Sequence, residues 1–346
     1  MKRLILCCDG TWNSADQEVK GKPCPTNVIK IAYRLCKRGK DGTQQIIYYN
    51  QGVGTHDALD KIEGGVGGVG LEQNIHDAYI FLLANYEIGD EIYLIGFSRG
   101  AFTARSIGGM VRKCGILKRE FVQEYPHAEA LYHDANVHPA DKDAVDFRHN
   151  FSLNGDDDVP IQMVGVWDTV GALGIPLRGL RAHNRKEFEF HDTELSGTVK
   201  YAFHALAVDE HRVPFGPSLW AYKPKDQVVE QVWFPGVHSD VGGGYDAHSL
   251  SDITLDWMIG RAKTAGLEFD DGVMQAHPTQ PLPTGEKHDS MTVVYRLEGV
   301  LERPIGINDP TQSLHPSVLA RWDADPTYRP KNVRDYFVRT GDPRGK

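Results

Sequence analysis

The sequence predicts an α/β fold with a mostly parallel central sheet and helices on both faces of that sheet. Short apolar runs alternate with segments whose apolar residues recur at helical spacing. The runs lack the polar–apolar alternation of a strand with one wet face, which is typical of parallel strands buried on both sides. Several of them end at aspartate, asparagine or glycine, at the sheet edge where such folds bind ligands.

Five strands and four helices are predicted along the chain. The strands are expected at residues 4–8, 45–49, 91–95, 161–167 and 228–234. The helices are expected at residues 26–35, 71–86, 101–107 and 253–265. Thr26 is a plausible N-cap of the first helix, whose apolar residues lie on one face.

Two long stretches interrupt this alternation and are interpreted as insertions over the active site. Residues 118–158 are polar and rich in histidine and aspartate, and residues 174–227 are basic and aromatic without a clear strand period. The histidines of the first stretch lack the spacing of a metal motif. We therefore expect a catalytic domain at 1–265 and, packed on it, a C-terminal extension at 266–346 that is rich in Pro, Asp and Arg.

The composition is that of a soluble globular protein. Of the 346 residues, 40% are hydrophobic and 25% are charged, and the formal net charge of −9 argues against nucleic acid as the main partner. The five cysteines suggest neither a disulfide framework nor a zinc site. The apolar run at the N-terminus is too short for a signal peptide, so we expect a cytoplasmic protein, with export by a route that needs no signal peptide left open.

The pentapeptide GFSRG at 96–100 is the most informative motif. It matches G-x-S-x-G, in which a serine nucleophile stands on a sharp turn between a strand and a helix. An apolar run precedes it and a helix-compatible stretch follows, which is the context that the motif needs. Its two glycines leave room for a strained serine. The alternative is that Ser98 caps a helix.

A serine nucleophile needs a base, and the base needs an acid that orients it. Asp168 ends a predicted strand, where an ionised carboxylate is costly unless it has partners. His238 ends the run before three consecutive glycines, which let the backbone hold the ring at a defined angle. Ser98, Asp168 and His238 are therefore the predicted triad. His204 is the main rival, but its apolar surroundings favour a core histidine.

The oxyanion hole needs two backbone N–H donors. One is expected from Arg99, the residue after the nucleophile, and the other from Gly10 or Thr11 in the turn after the first strand. Two further patterns are discounted. The glycines at 65–70 fit G-x-G-x-x-G but lack a strand just before them. The stretch CDGT at 8–11 is similar to the start of haloacid-dehalogenase-type phosphatases, but Cys7 stands where the nucleophilic aspartate belongs.

Five segments together resemble an α/β-hydrolase family that includes the catalytic domain of type VI secretion phospholipase effectors. They are CDGTWN at 8–13, GFSRGAFTAR at 96–105, VGVWDTVG at 164–171, HALAVDE at 204–210 and WFPGVHSDVGGGY at 233–245. The resemblance implies an α/β-hydrolase fold, a triad of Ser98, Asp168 and His238, and cleavage of phospholipid acyl esters. Effector members carry large additional regions that contact membrane, and residues 266–346 are few and polar by comparison.

The expected function is a serine esterase or lipase that needs no metal or organic cofactor. Its expected partner is an ester or lipid substrate, with peripheral membrane contact open, and Asp9 and Asp240 are expected to support the site. Two alternatives stay open at this stage. In one, Asp9, Asp168 and Asp240 bind a metal for phosphoester hydrolysis, because each follows a predicted strand and hard cations favour carboxylates. In the other, the protein binds a lipid or a protein without turnover.

Overall fold

A seven-stranded sheet forms the centre of the protein in the computed structural model, which describes residues 1–10, 13–19, 21–52, 67–171, 195–221, 226–306 and 309–345. The strands in chain order are β1 (Lys2–Cys8), the short hairpin β2 (Glu18–Val19) and β3 (Lys22–Pro23), β4 (Gln44–Asn50), β5 (Glu91–Phe97), β6 (Ile161–Trp167), β7 (Val199–Ala207), β8 (Val228–Phe234) and β9 (Gln312–Leu314). The hairpin lies outside the central sheet.

The helices alternate with these strands. They are α1 (Asn27–Arg34), α2 (Gly67–Asn85), α3 (Arg99–Cys114), α4 (Tyr125–His133), α5 (Lys142–Phe151), α6 (His238–Gly242), α7 (Ser249–Thr264), α8 (Asp271–Ala276), α9 (Val293–Glu298), α10 (Pro316–Ala324) and α11 (Lys331–Thr340). The Thr26 side chain accepts a hydrogen bond from the Ile29 N–H and so caps α1, as predicted.

The strand order is β4-β1-β5-β6-β7-β8-β9, and the strands of each neighbouring pair run parallel. The chain therefore begins inside the sheet, moves outward to β4, and returns past β1 to continue on the other side. The loops after β1 and β5 diverge at this reversal and leave a crevice at the carboxyl edge of the strands. Ser98 follows β5 and lies at that crevice.

Both faces of the sheet are buried, which explains the continuous apolar runs. Leu4 and Leu6 of β1 pack under α2 and α3, whereas Ile5 and Cys7 pack under α1 and α7. All four side chains are fully buried. Burial of one such large side chain contributes about 1.5–3 kcal/mol, so this alternation fixes both helix layers on the sheet. The predicted α/β fold with a parallel sheet is confirmed.

Strand β7 lies within residues 174–227, where we expected only an insertion. Residues 199–207 (VKYAFHALA) form a strand between β6 and β8, and its second half is fully buried. A strand covered on both faces shows no alternation of polar and apolar residues. Because His204 also interrupts the apolar run, this strand was not predicted. Within this stretch the structure describes only residues 195–221 and 226–227.

Residues 118–158 form helices on one face of the sheet, and their role as a cover of the site stays a prediction. They form α4 and α5, which pack on the C-terminal half of α3. The Lys113 ammonium at the end of α3 donates to the carbonyls of Tyr132 and Asp134, at 3.3 and 2.6 Å. These contacts join the end of α4 to the end of α3, and Ser98 precedes the other end of α3.

The C-terminal segment extends the central sheet. Strand β9 pairs with β8, and Trp233 of β8 packs in a cluster with buried residues of α10 and α11. The cluster includes Val318, Trp322 and Phe337. These contacts place β9, α10 and α11 against the β8 edge of the sheet. The boundary at residue 265 stays a prediction.

Candidate active site

Ser98 stands on a sharp turn between β5 and α3, and its backbone is strained, with φ 56° and ψ −122°. The flanking glycines are required by close approach. A Cβ at Gly96 would collide with the Gly100 carbonyl, and a Cβ at Gly100 would collide with the carbonyl oxygens of Cys8 and Asp9. The Ser98 side chain makes no capping bond to α3, so the alternative interpretation as a helix cap is wrong.

Ser98, His238 and Asp168 form one hydrogen-bonded chain. The Ser98 Oγ lies 2.8 Å from His238 Nε2, and His238 Nδ1 lies 2.6 Å from Asp168 Oδ2. A proton on Nδ1 is donated to the carboxylate and leaves Nε2 to accept from the serine hydroxyl. The sequence singled out these three residues, and the structure brings them together across 140 residues of chain.

Asp168 is fully buried and is held as an ion by its surroundings. Its backbone is strained, with φ 37°, and its Oδ1 accepts the Ala207 N–H at 3.0 Å. The Arg303 guanidinium donates to Oδ1 at 2.7 Å and to Oδ2 at 3.1 Å. Burial alone raises the pKa of Asp168, but the charge of Arg303 and the bond to His238 outweigh it and hold the pKa well below its usual value.

Arg303 was not among the residues predicted for the site. This residue lies in the C-terminal extension, follows no predicted strand and belongs to no motif. The one available signal was indirect, because a buried aspartate at a strand end requires a cation or several donors. That requirement names a kind of partner but no position.

Two aromatic rings pack against His238 and fix its plane. The Phe97 ring centroid lies 4.6 Å from that of His238, and the Phe215 ring packs edge-on at 5.0 Å. A Cβ at Gly242 would collide with the Phe97 ring, so this glycine admits the contact. Gly243 has φ 86°, a conformation that favours glycine. The glycines after the histidine thus have the packing role that the sequence suggested.

His204, the rival base, is a core histidine. It is fully buried in β7, and its Nε2 accepts the Thr169 N–H at 3.1 Å. Burial lowers the pKa of His204 to about 3, with the nearby positive charge of Arg105 acting in the same direction. A ring that stays neutral and already holds a backbone donor is not positioned as the base for Ser98.

The loop after β1, where an oxyanion donor was predicted, lies beside Ser98. A Cβ at Gly10 would lie 3.2 Å from Ser98 Cβ. The Gly10 N–H, however, donates to the Asp9 carboxylate at 2.7 Å, so its predicted role as oxyanion donor is not seen in this arrangement. Thr11, the other candidate, lies outside the described residues. Arg99 begins α3, and the first-turn N–H groups of a helix have no acceptor within the helix.

Asp9 is a buried carboxyl with neutral partners. Its Oδ2 accepts from the hydroxyls of Thr26 at 2.6 Å and Tyr49 at 2.8 Å. Burial raises the pKa of Asp9 to about 6, and these hydrogen bonds with that of Gly10 only partly oppose the shift. Asp9 therefore supports the loop beside Ser98 through neutral donors.

The three aspartates of the metal alternative do not converge. Asp240 accepts the backbone N–H of Val237 at 3.0 Å, and its Oδ1 lies 2.6 Å from His288 Nδ1. Asp9 and Asp168 have the separate partners given above. Across the described ranges, no group of three or more His, Cys, Asp or Glu side chains is arranged to hold a metal ion.

The C-terminal segment contacts the loops after three successive strands. Asp168 follows β6 and binds Arg303, Glu210 follows β7 and accepts from Ser290 at 3.1 Å, and Asp240 follows β8 and binds His288. Residues 288–303 thus run across the carboxyl edge of the sheet beside the triad.

The parallel sheet, the strained serine after β5, and the aspartate and histidine after later strands define an α/β-hydrolase-like protein. The chain belongs to the family described as "T6SS, Phospholipase effector Tle1-like, catalytic domain", whose model matches residues 2–261. The resemblance stated from the sequence is therefore confirmed.

The chain is similar to several longer proteins. It is 31% identical over 261 residues to the uncharacterized protein YEL023C of Saccharomyces cerevisiae, an alignment that covers 66% of this chain and 36% of the relative. A crystal structure of an uncharacterized protein from Pseudomonas aeruginosa is 18% identical, with a TM-score of 0.44, over 78% of this chain and 46% of that one. The structure of the Tle1 effector bound to the VgrG spike of the type 6 secretion system is 21% identical, with a TM-score of 0.38, over 71% and 51%.

This chain spans between about a third and a half of the length of these relatives. In the parts of the chain that the structure describes, no helix is long and apolar enough to cross a membrane. Cytoplasmic residence and export without a signal peptide stay predictions.

Proposed function

We propose that this protein is a serine hydrolase that cleaves carboxylic esters of lipids, with phospholipid acyl esters as the leading substrate class. The observation that carries the proposal is the hydrogen-bonded chain of Ser98, His238 and Asp168 at a strained strand–helix turn. Membership of a family described as phospholipase effector catalytic domains supports the choice of lipid.

In the proposed reaction the Ser98 Oγ attacks the acyl carbonyl carbon. His238 Nε2 takes the serine proton and gives it to the leaving alcohol oxygen as the ester bond breaks. The acyl group is then bound to Ser98. A water loses a proton to His238 as it attacks the acyl carbon, and His238 returns that proton to Ser98 Oγ as the acyl–oxygen bond breaks and the free acid leaves. Asp168 keeps Nδ1–H oriented in both halves and stabilises the protonated ring.

The oxyanion of each tetrahedral intermediate needs two donors. The Arg99 N–H is the proposed first donor, because it follows the nucleophile at the start of α3. The second is proposed from the loop after β1, at Gly10 or Thr11. For Gly10 to serve, its N–H has to turn from the Asp9 carboxylate toward the substrate oxygen.

Labelling with a fluorophosphonate, which reacts with activated serines, tests the nucleophile. Wild type should be labelled and Ser98→Ala should not. Ser106→Ala is the matched control, because Ser106 is a buried serine within α3, about two helical turns after Ser98. Release of fatty acid from phosphatidylcholine vesicles should fall by about 10⁴–10⁶-fold in Ser98→Ala.

Other outcomes contradict the proposal. Hydrolysis that persists in folded Ser98→Ala and is abolished by a chelator would favour metal chemistry. Binding of vesicles without turnover across a broad panel of esters, with no labelling in detergent micelles, would favour a non-catalytic lipid-binding protein. If Ser98 is labelled but only short soluble esters are hydrolysed, the serine mechanism stands and the proposal that the substrate is a lipid is wrong.

A further inference from the structure

Arg303 has the contacts of a part of the active site, although it lies outside the family-matched residues 2–261. Its side chain is fully buried. It makes four hydrogen bonds, two of them to the oxygens of Asp168 and two to the carbonyls of Ala207 and Phe215. Every one of these bonds goes to the triad acid or to a segment that touches the triad.

The two carbonyls connect the guanidinium to one residue that contacts Asp168 and to another that contacts His238. Ala207 ends β7, and its N–H donates to Asp168 Oδ1, which also accepts from Arg303. Phe215 packs its ring edge-on against His238 while its carbonyl accepts from Arg303. One side chain therefore ties the acid to a ring that fixes the base.

The charge of Arg303 has two opposing effects. A cation this close to Asp168 offsets part of the attraction between the carboxylate and a protonated His238, which disfavours catalysis. A buried carboxylate without a cation, however, would take up a proton, and a protonated carboxyl no longer attracts the charge that develops on the base. Asp168 is fully buried, and the charge of Arg303 is the strongest of the influences that oppose the rise of its pKa on burial.

We propose that Arg303 is a positioning residue that fixes the Asp168 carboxylate against His238, so that the catalytic unit of this chain extends past the family-matched region to residue 303. The inference rests on the proposed function. A lysine can supply the charge but not two parallel N–H donors, so charge and orientation are separable by substitution.

The test compares Arg303→Met and Arg303→Lys with wild type in the full chain. The control is Arg321→Met, because Arg321 is another buried arginine of the C-terminal segment whose hydrogen bonds go to the carbonyls of Pro283 and Gly285, away from the triad. The readouts are kcat and KM for ester hydrolysis from pH 5 to 9 and the melting temperature.

In Arg303→Met we expect kcat to fall on the order of 10²-fold, with KM little changed, because the oriented acid is lost. Without the guanidinium the pKa of Asp168 rises, so the acidic limb of the pH–rate profile should move to higher pH. In Arg303→Lys the acidic limb should return part of the way to its wild-type pH, but kcat should stay below the wild-type value. Arg321→Met should lower the melting temperature and leave the limb unchanged. A folded Arg303→Met with the wild-type limb and kcat would overturn the proposal.

A second measurement does not depend on turnover. A His Nδ1–H held by a carboxylate gives a far-downfield proton resonance, and we expect this signal in wild type and Arg321→Met. It should be lost or weakened in Arg303→Met, or in Arg303→Lys if the methionine variant does not fold. If wild type resists the fluorophosphonate but the signal depends on Arg303, the proposed function fails and the positioning role stands. A signal that does not respond to Arg303 overturns the positioning role itself.

Discussion

Asp9 after β1 and Asp168 after β6 occupy equivalent places in the fold, yet their surroundings give them opposite properties. Both end a buried strand at the carboxyl edge, and both are almost fully buried. Asp168 faces a guanidinium, which keeps its pKa well below the usual value. Asp9 faces two hydroxyls and a backbone N–H, and burial raises its pKa to about 6.

The comparison shows that the countercharge, rather than burial, decides which carboxyl stays ionised. Neutral donors offset only part of the free energy lost when an anion leaves water, whereas an adjacent cation offsets more. The loop after β6 is therefore suited to hold a permanent anion beside a histidine. The loop after β1 holds a carboxyl whose pKa is raised to about 6, so its protonation changes in mildly acidic solution.

The largest expected effect is on kcat, which should fall much further when Asp168 is replaced than when Asp9 is replaced. Asp168→Asn should lower kcat about 10⁴-fold, because an amide cannot keep His238 in the required tautomer or stabilise its cation. Asp9→Asn should change kcat less than about tenfold, because an asparagine still accepts the Gly10 N–H and its NH₂ can donate to the two hydroxyls. The measurement is kcat for an ester at pH 8 with both variants folded.

Equal losses of kcat in Asp168→Asn and Asp9→Asn would contradict the different roles given to the two aspartates. In that case Asp9 would act in the reaction itself, and the loop after β1 would need a catalytic role beyond support.

The second effect concerns stability and has a defined sign. The pKa of Asp9 is about 6 in the folded chain against 3.8 ordinarily, so the folded state binds this proton more tightly. The resulting stabilisation is complete below about pH 4 and is lost as the pH rises through 6, a change of about 3 kcal/mol. Asp168 has the opposite sign, since its contribution is present at neutral pH and is lost in acid.

The free energy of unfolding of Asp9→Asn should therefore increase relative to that of wild type as the pH rises. The difference in unfolding free energy between the variant and wild type, from urea titrations at pH 4 and pH 7, should change by up to about 3 kcal/mol in favour of the variant. A difference that stays constant over this range would mean that the Asp9 carboxyl does not titrate there.

The smallest effect on activity is expected at His204, beside the loop after β6. His204→Gln should keep kcat within about threefold, because the glutamine carbonyl can accept the Thr169 N–H. Stability should fall by about 1–2 kcal/mol through the loss of ring packing against Trp220. Kinetics beside urea unfolding measure both. A loss of kcat as large as that in Asp168→Asn would restore His204 as a candidate base.

The sequence allowed the triad to be predicted because each member ends an apolar run. Ser98, Asp168 and His238 follow β5, β6 and β8, and parallel strands bring such residues to one edge. The glycine spacing around Ser98 and His238 added local information, since close approach and positive φ restrict those positions to glycine. The proposed roles rest on these same local signals.

Other features could not be predicted because nothing local carries them. Strand β7 has no polar alternation and contains His204, so it resembled a helix as much as a strand. The bond between the Gly10 N–H and the Asp9 carboxylate depends on side-chain geometry within one turn. The contact between Arg303 and Asp168 joins residues 135 positions apart, and only the folded chain brings them together.

The position of Arg303 also determines when the site is completed during synthesis. Ser98 and Asp168 leave the ribosome long before residue 303, and the contact that neutralises Asp168 closes a loop of 135 residues. Contacts between such distant positions form late, because the entropy of a long loop must be lost before they contribute. On the proposed mechanism the nascent chain therefore carries its nucleophile without an oriented acid until residue 303 has been made, and full activity comes only after Arg303 has reached Asp168.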